Sequence, residues 1–369
     1  MTSERRTRAA TEPPDEGRPS LPAPPLNPRE RPLGLADLRL RYPPLRNPHA
    51  DVAEEAIRDA ARRAGLLGDG SMGYFDAFNR ASAFTYPRAG AHRLMACIQW
   101  CDWLFFFDDQ YDVDREFTKR EVHLDRIVDR YLALLGGEPC GERPRPLELF
   151  ACDLSERLSA LASPAWRRRF LRSVEDYFMK GVLRTARSFA EGEVPDLASY
   201  QRDRKFDSAV LTTLDMIEVA TGMELADEVV ACPAIQQMRR ICARVVAFVN
   251  DIVSYQKEVL KHDNPNNILH ILMVNEGCTL EEAVSRTVDT VNAGIERFDA
   301  LELELPVWAP PARDAAVEYV EGMQHWMRGN LDWSLQSARY CSLDSPFEEL
   351  RAHSSVATLA PLDPDDQGT

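Results

Sequence analysis

The sequence predicts an all-α protein, and two observations favour that fold class. Apolar residues recur at intervals of three and four along most of the chain, which is the spacing of one face of an α-helix. No segment shows a clean run of β-branched residues with the period of two that is typical of a half-buried strand. We therefore predict a single-domain bundle of about ten helices.

Long helical windows follow one another through the chain, and we find no internal repeat. They cover residues 51–66, 90–112, 117–136, 164–189, 196–222, 233–262, 279–300 and 311–341. The windows are separated by residues that commonly begin or end helices, namely Gly136-Gly137, Pro164, Pro195, Pro233 and Asn264-Pro265. Within the sixth window, one wide apolar stripe is formed by Ile241, Val245, Val246, Phe248, Val249, Ile252 and Val253.

Both ends of the chain have a composition that disfavours packing. Residues 1–38 hold eight prolines, many charges and few large apolar side chains, so they are predicted to be a disordered tail. Residues 343–369 are polar and marked by proline, and they are predicted to be a flexible tail. The packed domain is thus expected to span residues 39–342.

Composition narrows the classes of function. The net charge of −15 disfavours nucleic acid as a partner, because that binding is driven by basic surface. The eight cysteines form no CxxC pair, and Cys97, Cys101, Cys152 and Cys242 lie in apolar helical surroundings, so a disulfide scaffold is not expected. No signal-peptide core and no run of eighteen apolar residues occurs, which predicts a cytoplasmic protein without a membrane span.

An acidic cluster follows three aromatic residues in the stretch FFFDDQYDVD, residues 105–114. Asp108 and Asp112 are one helical turn apart and point the same way, with Asp109 on a flank of that face. Like charges about 4 Å apart repel by roughly 4 kcal/mol at an effective dielectric constant near 20. A divalent cation would convert that repulsion into attraction; the alternative is a solvated acidic helix end.

A second polar group interrupts the apolar stripe at NDIVSYQKE, residues 250–258. Asn250, Ser254 and Glu258 are spaced four and four, so they project from one broad helical face. An amide oxygen, a hydroxyl and a carboxylate are hard oxygen ligands of the kind that Mg²⁺ prefers. The alternative is a polar face formed by chance.

Together these two motifs resemble the paired metal motifs of the class I terpene synthases in their bacterial form. The resemblance covers about residues 40–342 and implies an α-helical domain around a central pocket, where three Mg²⁺ ions hold an isoprenoid diphosphate. It implies metal ligation by Asp108, Asp112, Asn250, Ser254 and Glu258. Family members differ in which aspartates touch metal, and Asp109 could instead serve an arginine contact.

The resemblance extends to the basic residues that would hold a diphosphate. A family arginine that senses the diphosphate lies 46 residues before the second motif's asparagine, and Arg204 stands there. The resemblance implies that Asp207 links Arg204 to the effector, a helix break at Ser208, where the family often has glycine instead. Further diphosphate ligands implied by the resemblance are Lys257, Arg339 and Tyr340.

A carbocation pocket is the remaining implication, since aromatic faces stabilise cations and a dry site protects them from water. The candidate lining residues are Phe105, Leu104, Trp326 and Phe84. Leu104 and Thr213 stand where some relatives place larger rings, which leaves room for a longer substrate.

The function predicted is Mg²⁺-dependent cyclisation of a linear isoprenoid diphosphate, with the C15 substrate farnesyl diphosphate favoured and the product left open. One alternative is a diterpene synthase that uses geranylgeranyl diphosphate. Another is a chain-elongating prenyl diphosphate synthase, which the single aspartate-rich motif disfavours. A third is a non-enzymatic helical interaction protein. A homodimer is common in the family.

Overall fold

The computed structural model describes residues 35–67, 80–112, 121–185, 194–262 and 264–351, without the side chains of 36, 109–112 and 121–124. In these ranges every regular element is a helix and no strand occurs, which confirms the predicted all-α class. Among the described residues, no helix has both the length and the apolar character needed to cross a bilayer.

The α-helices are labelled in chain order. They are α1 (Ala50–Ala64), α2 (Ala81–Thr85), α3 (Ala91–Asp112), α4 (Glu121–Leu135), α5 (Pro146–Leu161), α6 (Pro164–Asp176), α7 (Leu197–Asp207), α8 (Val210–Thr221), α9 (Asp227–Val230), α10 (Pro233–Tyr255), α11 (Ile268–Glu276), α12 (Leu280–Leu303) and α13 (Ala312–Ser334). Two of them continue as π-helix, α6 through Tyr177–Val182 and α10 through Gln256–Lys261. Short 3₁₀ turns lie at Leu35–Asp37 and Glu348–Leu350.

The two helices that carry the acidic and polar motifs are deeply packed. On α3 almost every described side chain from Leu94 to Phe107 is buried, and α10 is buried over most of its second half. A helix that is apolar on all sides belongs in the middle of a bundle. Both motifs lie at the C-terminal ends of these central helices, so the packing places them at the rim of the core.

Two faces of α3 differ in their surroundings: one packs in the core and the other faces the motif side of the bundle. Trp100, Trp103 and Phe107 stack in sequence, with ring centroids 5.4 Å and 5.2 Å apart, and they are fully buried. Phe105 is only half-buried and turns away from this stack. The three consecutive aromatic residues before Asp108 are therefore divided between the core and the motif side of the helix.

One helix absent from the predicted windows is α5. Its apolar stripe is present in the sequence at Leu147, Phe150, Ala151, Leu154 and Leu158, and all five are buried. Proline at its first position favours helix initiation, and Glu148 Oε2 accepts a hydrogen bond from the Arg145 backbone N–H at 3.0 Å. The prediction missed it because the stretch before it is rich in glycine, proline and charge.

A buried ion pair joins α8 to α10. Arg239 Nη2 lies 2.7 Å from Asp215 Oδ1, and Arg239 also donates to the hydroxyl of Tyr319 on α13. The Trp166 indole donates to the Asp215 carbonyl at 3.2 Å. With Tyr319 and Trp166 this pair connects four helices of the core, α6, α8, α10 and α13, and it provides a reference for the ion pair described at the site below.

The described structure continues into parts of both predicted tails. Leu35 is buried, and the carbonyl of Asp37 accepts a hydrogen bond from Asn292 on α12 at 3.0 Å. At the other end Phe347 and Leu350 are fully buried. Residues 35–38 and 343–351 are therefore packed in this structure, while 1–34 and 352–369 lie outside the described residues.

A disulfide joins Cys140, in the loop before α5, to Cys152 on α5. The sequence analysis did not expect it and placed Cys152 among apolar cysteines. The expectation was wrong because residue spacing does not report that the two Cα atoms come within 6.4 Å of each other, a distance that a disulfide can bridge. The other six cysteines are free.

Thiol counting tests this bond. The unfolded, unreduced chain should react with a thiol reagent at six cysteines, and at all eight after reduction. Reduction should also lower the free energy of unfolding by about 3 kcal/mol, the value for closing a loop of roughly 15 residues. As a control, Cys140→Ser should increase the number of reactive thiols because it frees Cys152. Eight reactive thiols without reductant would contradict the disulfide.

Candidate active site

The first motif begins in the last turn of α3. Asp108 is exposed there, and the Tyr177 hydroxyl donates a hydrogen bond to its Oδ1 at 3.1 Å. Tyr177 opens the π-helical segment that follows α6. The C-terminal end of a helix carries partial negative charge, so carboxylates there need a compensating cation. The side chains of Asp109 and Asp112 lie outside the described residues.

Electrostatics connect Asp108 to residues distant in sequence. Packing of the surrounding protein raises the pKa of Asp108 to about 6, although the side chain keeps contact with solvent. The charge of Arg339 opposes that rise, that of Asp207 adds to it, and that of Lys257 lowers the pKa. Asp108 therefore shares one electrostatic site with the predicted diphosphate ligands Arg339 and Lys257.

The second motif is split between two kinds of helix. Asn250 and Ser254 lie on α10, whereas Glu258 lies in the π-helical segment, which the sequence predicted to be ordinary α-helix. Ser254 is fully buried, and its hydroxyl has no hydrogen-bond partner among the described residues.

These oxygen atoms fit a hard divalent cation. An orphaned buried hydroxyl, an amide oxygen and the half-buried carboxylate of Glu258 are the ligand types that Mg²⁺ accepts. In the described part of the chain no three His, Cys, Asp or Glu side chains converge. The second motif is not a group of that kind, because two of its three predicted ligands are Asn250 and Ser254.

Arg204 on α7 contacts the second motif directly. Its Nη2 donates to Asn250 Oδ1 at 3.3 Å, and its Nη1 donates to Asp207 Oδ2 at 3.1 Å. Its Nε and Nη2 both donate to Asp251 Oδ1, at 3.1 Å and 2.6 Å. The residue found 46 positions before Asn250 thus lies beside it in space.

The helix break that follows Arg204 divides the window predicted for residues 196–222. α7 ends at Asp207, Ser208 follows, and Ala209 adopts a left-handed conformation with φ of 57° before α8 begins. An α-helix cannot continue through a residue in that region. The Ser208 hydroxyl is buried and has no hydrogen-bond partner among the described residues.

Asp207 is held where the π-helical segment after α6 meets α7. Thr185 donates to its Oδ1 at 3.1 Å, and Asn266 donates to its Oδ2 at 2.7 Å. A Cβ atom on Gly181 would come within 2.7 Å of the Asp207 Cα, so only glycine permits this approach. Two separate segments, the helical stretch that contains Gly181 and Thr185 and the loop that contains Asn266, therefore determine where the predicted linker residue lies.

The Arg339-Tyr340 pair lies in a turn rather than on the helix predicted for residues 311–341. α13 ends at Ser334, and the Ser337 hydroxyl accepts from the Arg339 backbone N–H at 3.3 Å, a local bond that competes with helix. The turn brings the Arg339 guanidinium over Phe105, 5.1 Å from the ring centroid. The Tyr340 hydroxyl accepts from Asn250 Nδ2 at 2.9 Å.

An aromatic residue that the sequence analysis missed completes this side of the site. The buried ring of Trp333 lies 5.6 Å from Phe105 and 5.5 Å from Tyr340, and its indole N–H has no hydrogen-bond partner among the described residues. The predicted Trp326 is also buried and meets Tyr86 edge to face at 5.5 Å. Because the two tryptophans are two helical turns apart on α13, the spacing alone could have found Trp333.

The other predicted lining residues lie on neighbouring elements. Leu104 is buried one residue before Phe105. Phe84 is half-buried on α2, whose backbone approaches α13 so closely that a side chain at Gly329 would collide with the Phe84 carbonyl. Thr213 is buried, and its carbonyl accepts from the Tyr86 hydroxyl at 2.7 Å. The lining roles of Leu104 and Phe84 stay predictions.

This geometry brings hard oxygen atoms and arginines together in a helical protein, an arrangement that suits a metal-binding enzyme acting on an anionic diphosphate. A model of the terpene synthase family 2, C-terminal metal binding, matches residues 99–297. The chain belongs to that family and is a class I terpene synthase.

Individual relatives agree with this assignment. Pristinol synthase of Streptomyces pristinaespiralis is 33% identical over 327 residues, covering 86% of this chain and 87% of that protein. A (+)-T-muurolol synthase of Roseiflexus castenholzii is 31% identical over 312 residues, which cover 83% of this chain and 94% of that protein. The crystal structure of germacradien-4-ol synthase from Streptomyces citricolor superposes with a TM-score of 0.68 at 26% identity. The superposition covers 80% of this chain and 97% of that chain.

Proposed function

We propose that this terpene synthase ionises farnesyl diphosphate with Mg²⁺ and cyclises the resulting carbocation, releasing diphosphate. The observation that carries the proposal is the meeting of Asp108, Asn250, Arg204 and Arg339 at one end of the bundle, beside the rings of Phe105 and Trp333. Anion-binding groups and an aromatic wall are thus adjacent, as cleavage into an anion and a cation requires.

The relatives support the C15 substrate. The muurolol synthase is named as cyclising (2E,6E)-farnesyl diphosphate, and so is a 4-epi-cubebol synthase of Streptosporangium roseum. Leu104 and Thr213 are both buried, and the family resemblance puts them where some relatives have larger rings, which would leave room for a longer substrate. Geranylgeranyl diphosphate is therefore the second candidate substrate.

Binding would use the two motifs and the basic residues around them. Asp108 and Asp112 of the first motif and Asn250, Ser254 and Glu258 of the second would hold the metal ions, which the family resemblance puts at three Mg²⁺. When bound, Mg²⁺ supplies positive charge that offsets the negative charge gathering on the leaving diphosphate. The diphosphate oxygens would accept hydrogen bonds from Arg204, Lys257, Arg339 and Tyr340.

The chemical step is cleavage of the allylic C–O bond, whose electron pair leaves with the diphosphate. Arg204 and Arg339 stabilise that anion, while Phe105 and Trp333 present ring faces to the allylic cation. The buried apolar side chains around them keep water away until the cyclised cation loses a proton or captures a water molecule.

Product analysis tests the proposal. Purified protein is incubated separately with geranyl, farnesyl and geranylgeranyl diphosphates, with and without Mg²⁺, and the extracts are analysed by gas chromatography–mass spectrometry. We expect a cyclic hydrocarbon or alcohol from farnesyl diphosphate only when Mg²⁺ is present. A cyclic product from geranylgeranyl diphosphate alone would favour the diterpene alternative. A longer prenyl diphosphate formed with isopentenyl diphosphate would favour chain elongation.

The role of Trp333 gives a separate prediction about product. Trp333→Leu removes a ring that contacts Phe105, so we expect an altered product mixture with the melting temperature lowered only moderately. Trp166→Leu is the matched control: Trp166 is also buried, but it stacks on Phe170 away from the motifs and should affect stability without changing the products. An unchanged product mixture from the Trp333 variant would place that ring in the core.

Homodimer formation is proposed from the family resemblance alone. Sedimentation or light scattering of the purified chain is expected to give twice its 41.7 kDa mass. A value equal to one chain would refute this assembly.

A further inference from the structure

A buried aspartate lies behind the site without taking part in either set of predicted ligands. Asp251 follows Asn250 directly and is fully buried. Its Oδ1 accepts both the Nε and the Nη2 hydrogens of Arg204, at 3.1 Å and 2.6 Å. These two bonds occupy one edge of the guanidinium and fix the orientation of its plane.

Asp251 is itself fixed by groups from other helices. Its Oδ2 accepts from the Tyr200 hydroxyl on α7 and from the Ile268 backbone N–H at the start of α11, the latter at 3.1 Å. Asn267 donates to its backbone carbonyl at 2.8 Å. The carboxylate therefore has a partner for each oxygen and cannot turn without breaking contacts to two other helices.

Tyr200, which donates to Asp251, is itself held in place by packing. It is buried, and its ring lies nearly parallel to that of Phe248, with centroids 6.4 Å apart. Arg204 is one helical turn further along α7, so both side chains reach Asp251 from the same face. Hydrogen bonds thus connect Tyr200 to Asp251 and Asp251 to Arg204, which in turn contacts Asn250 of the second motif.

We propose that Asp251, held by Tyr200, is a positioning residue that aims Arg204 at the substrate diphosphate. Asp251 is fully buried, so it acts through Arg204 and touches no substrate. This inference rests on the proposed diphosphate-binding role of Arg204. It assigns a function to the aspartate inside NDIVSYQKE that neither metal ligation nor packing alone requires.

An effect of the Asp251 charge and an effect of Asp251 on the orientation of Arg204 predict opposite changes in diphosphate affinity. If only charge mattered, removing the Asp251 carboxylate would leave Arg204 less neutralised and would strengthen diphosphate binding. If orientation matters, the same change frees the guanidinium to turn and weakens binding. The sign of the change in affinity therefore separates the two readings.

The experiment measures binding of inorganic diphosphate in the presence of Mg²⁺ by isothermal titration calorimetry, which needs no turnover. Asp251→Asn is expected to weaken the affinity by about 10- to 100-fold, the usual effect of removing a residue that orients a ligand. Tyr200→Phe keeps the ring and removes one hydrogen bond, so a loss of roughly 2- to 10-fold is expected. With farnesyl diphosphate both variants should show a lower kcat in the same order.

Asp215→Asn is the matched control, because Asp215 is also a buried aspartate paired with an arginine, Arg239, at 2.7 Å. It should lower the melting temperature while leaving diphosphate affinity unchanged. Unchanged or tighter binding by both Asp251→Asn and Tyr200→Phe would overturn the inference. Should the first variant fail to fold, Tyr200→Phe decides.

The two proposals fail differently. If the unmodified chain binds Mg²⁺ and diphosphate but the variants bind equally well, only the role of Asp251 is refuted. If the unmodified chain binds no diphosphate, the proposed role of Arg204 fails and this inference fails with it.

Discussion

Replacement of Asp108 by alanine is expected to lower kcat by about 10²- to 10³-fold, the cost of losing one electrostatic stabiliser of a transition state. Asp108 is the described carboxylate of the first motif, and its charge interacts with Arg339, Asp207 and Lys257 across the site. Without it, a metal ion bound at that end of α3 would lose one proposed ligand and part of the negative charge that attracts it.

The fold should survive this change. Asp108 is exposed, and its one described hydrogen bond comes from Tyr177, so the far-ultraviolet circular dichroism should be unchanged. Asp129→Ala removes an exposed carboxylate on α4 and serves as a control that should retain full activity. The activity of both variants is measured as the rate of diphosphate release over a range of Mg²⁺ concentrations. Activity retained by Asp108→Ala would exclude a metal role for that residue.

Arg204→Lys is the second change with a large expected effect, a loss of about 10²-fold in kcat/KM. The guanidinium bonds Asp251, Asp207 and Asn250 at once. A lysine ammonium is a point charge that cannot reproduce this planar fork, although the formal charge is kept. Stability should fall as well, by up to roughly 3–5 kcal/mol, because the buried Asp251 is left incompletely paired.

A control must separate the effect on stability from the effect on catalysis. Arg239→Lys makes the same substitution in the buried pair with Asp215, and it should lower the melting temperature while kcat/KM stays within a few-fold of the unmodified enzyme. Steady-state kinetics well below both melting temperatures give the comparison. Equal losses of kcat/KM in the two variants would mean that Arg204 acts through folding alone.

The helical character of the fold could be predicted because it is a local property. The stripe along α10 and the apolar run of α3 are visible in the sequence, and both helices begin and end close to the predicted positions. The break at Ser208 and Ala209 was invisible to periodicity, since neither residue is a typical helix breaker. Only the approach of Gly181 to Asp207 accounts for the close packing there.

The site was predicted in outline and not in detail. The family resemblance pointed to Arg204, 46 residues before Asn250, and the structure places the two side chains in contact. Tyr177, which bonds Asp108, and Trp333, which contacts Phe105, went unrecognised. Each contacts the motifs across a helix interface. Trp333 could have been found from its two-turn spacing to Trp326 on α13, whereas no fixed interval in the sequence marks Tyr177.

What the sequence alone determined about this protein is therefore its helical class and the residue types available for metal and diphosphate. These depend on helical spacing and side-chain chemistry, which operate over a few residues. Only the tertiary structure decided that Cys140 reaches Cys152, that Glu258 lies on a π turn, and that Asp251 bonds Arg204. Those outcomes depend on how several helices pack against one another, and packing sums many weak contacts between residues far apart in the chain.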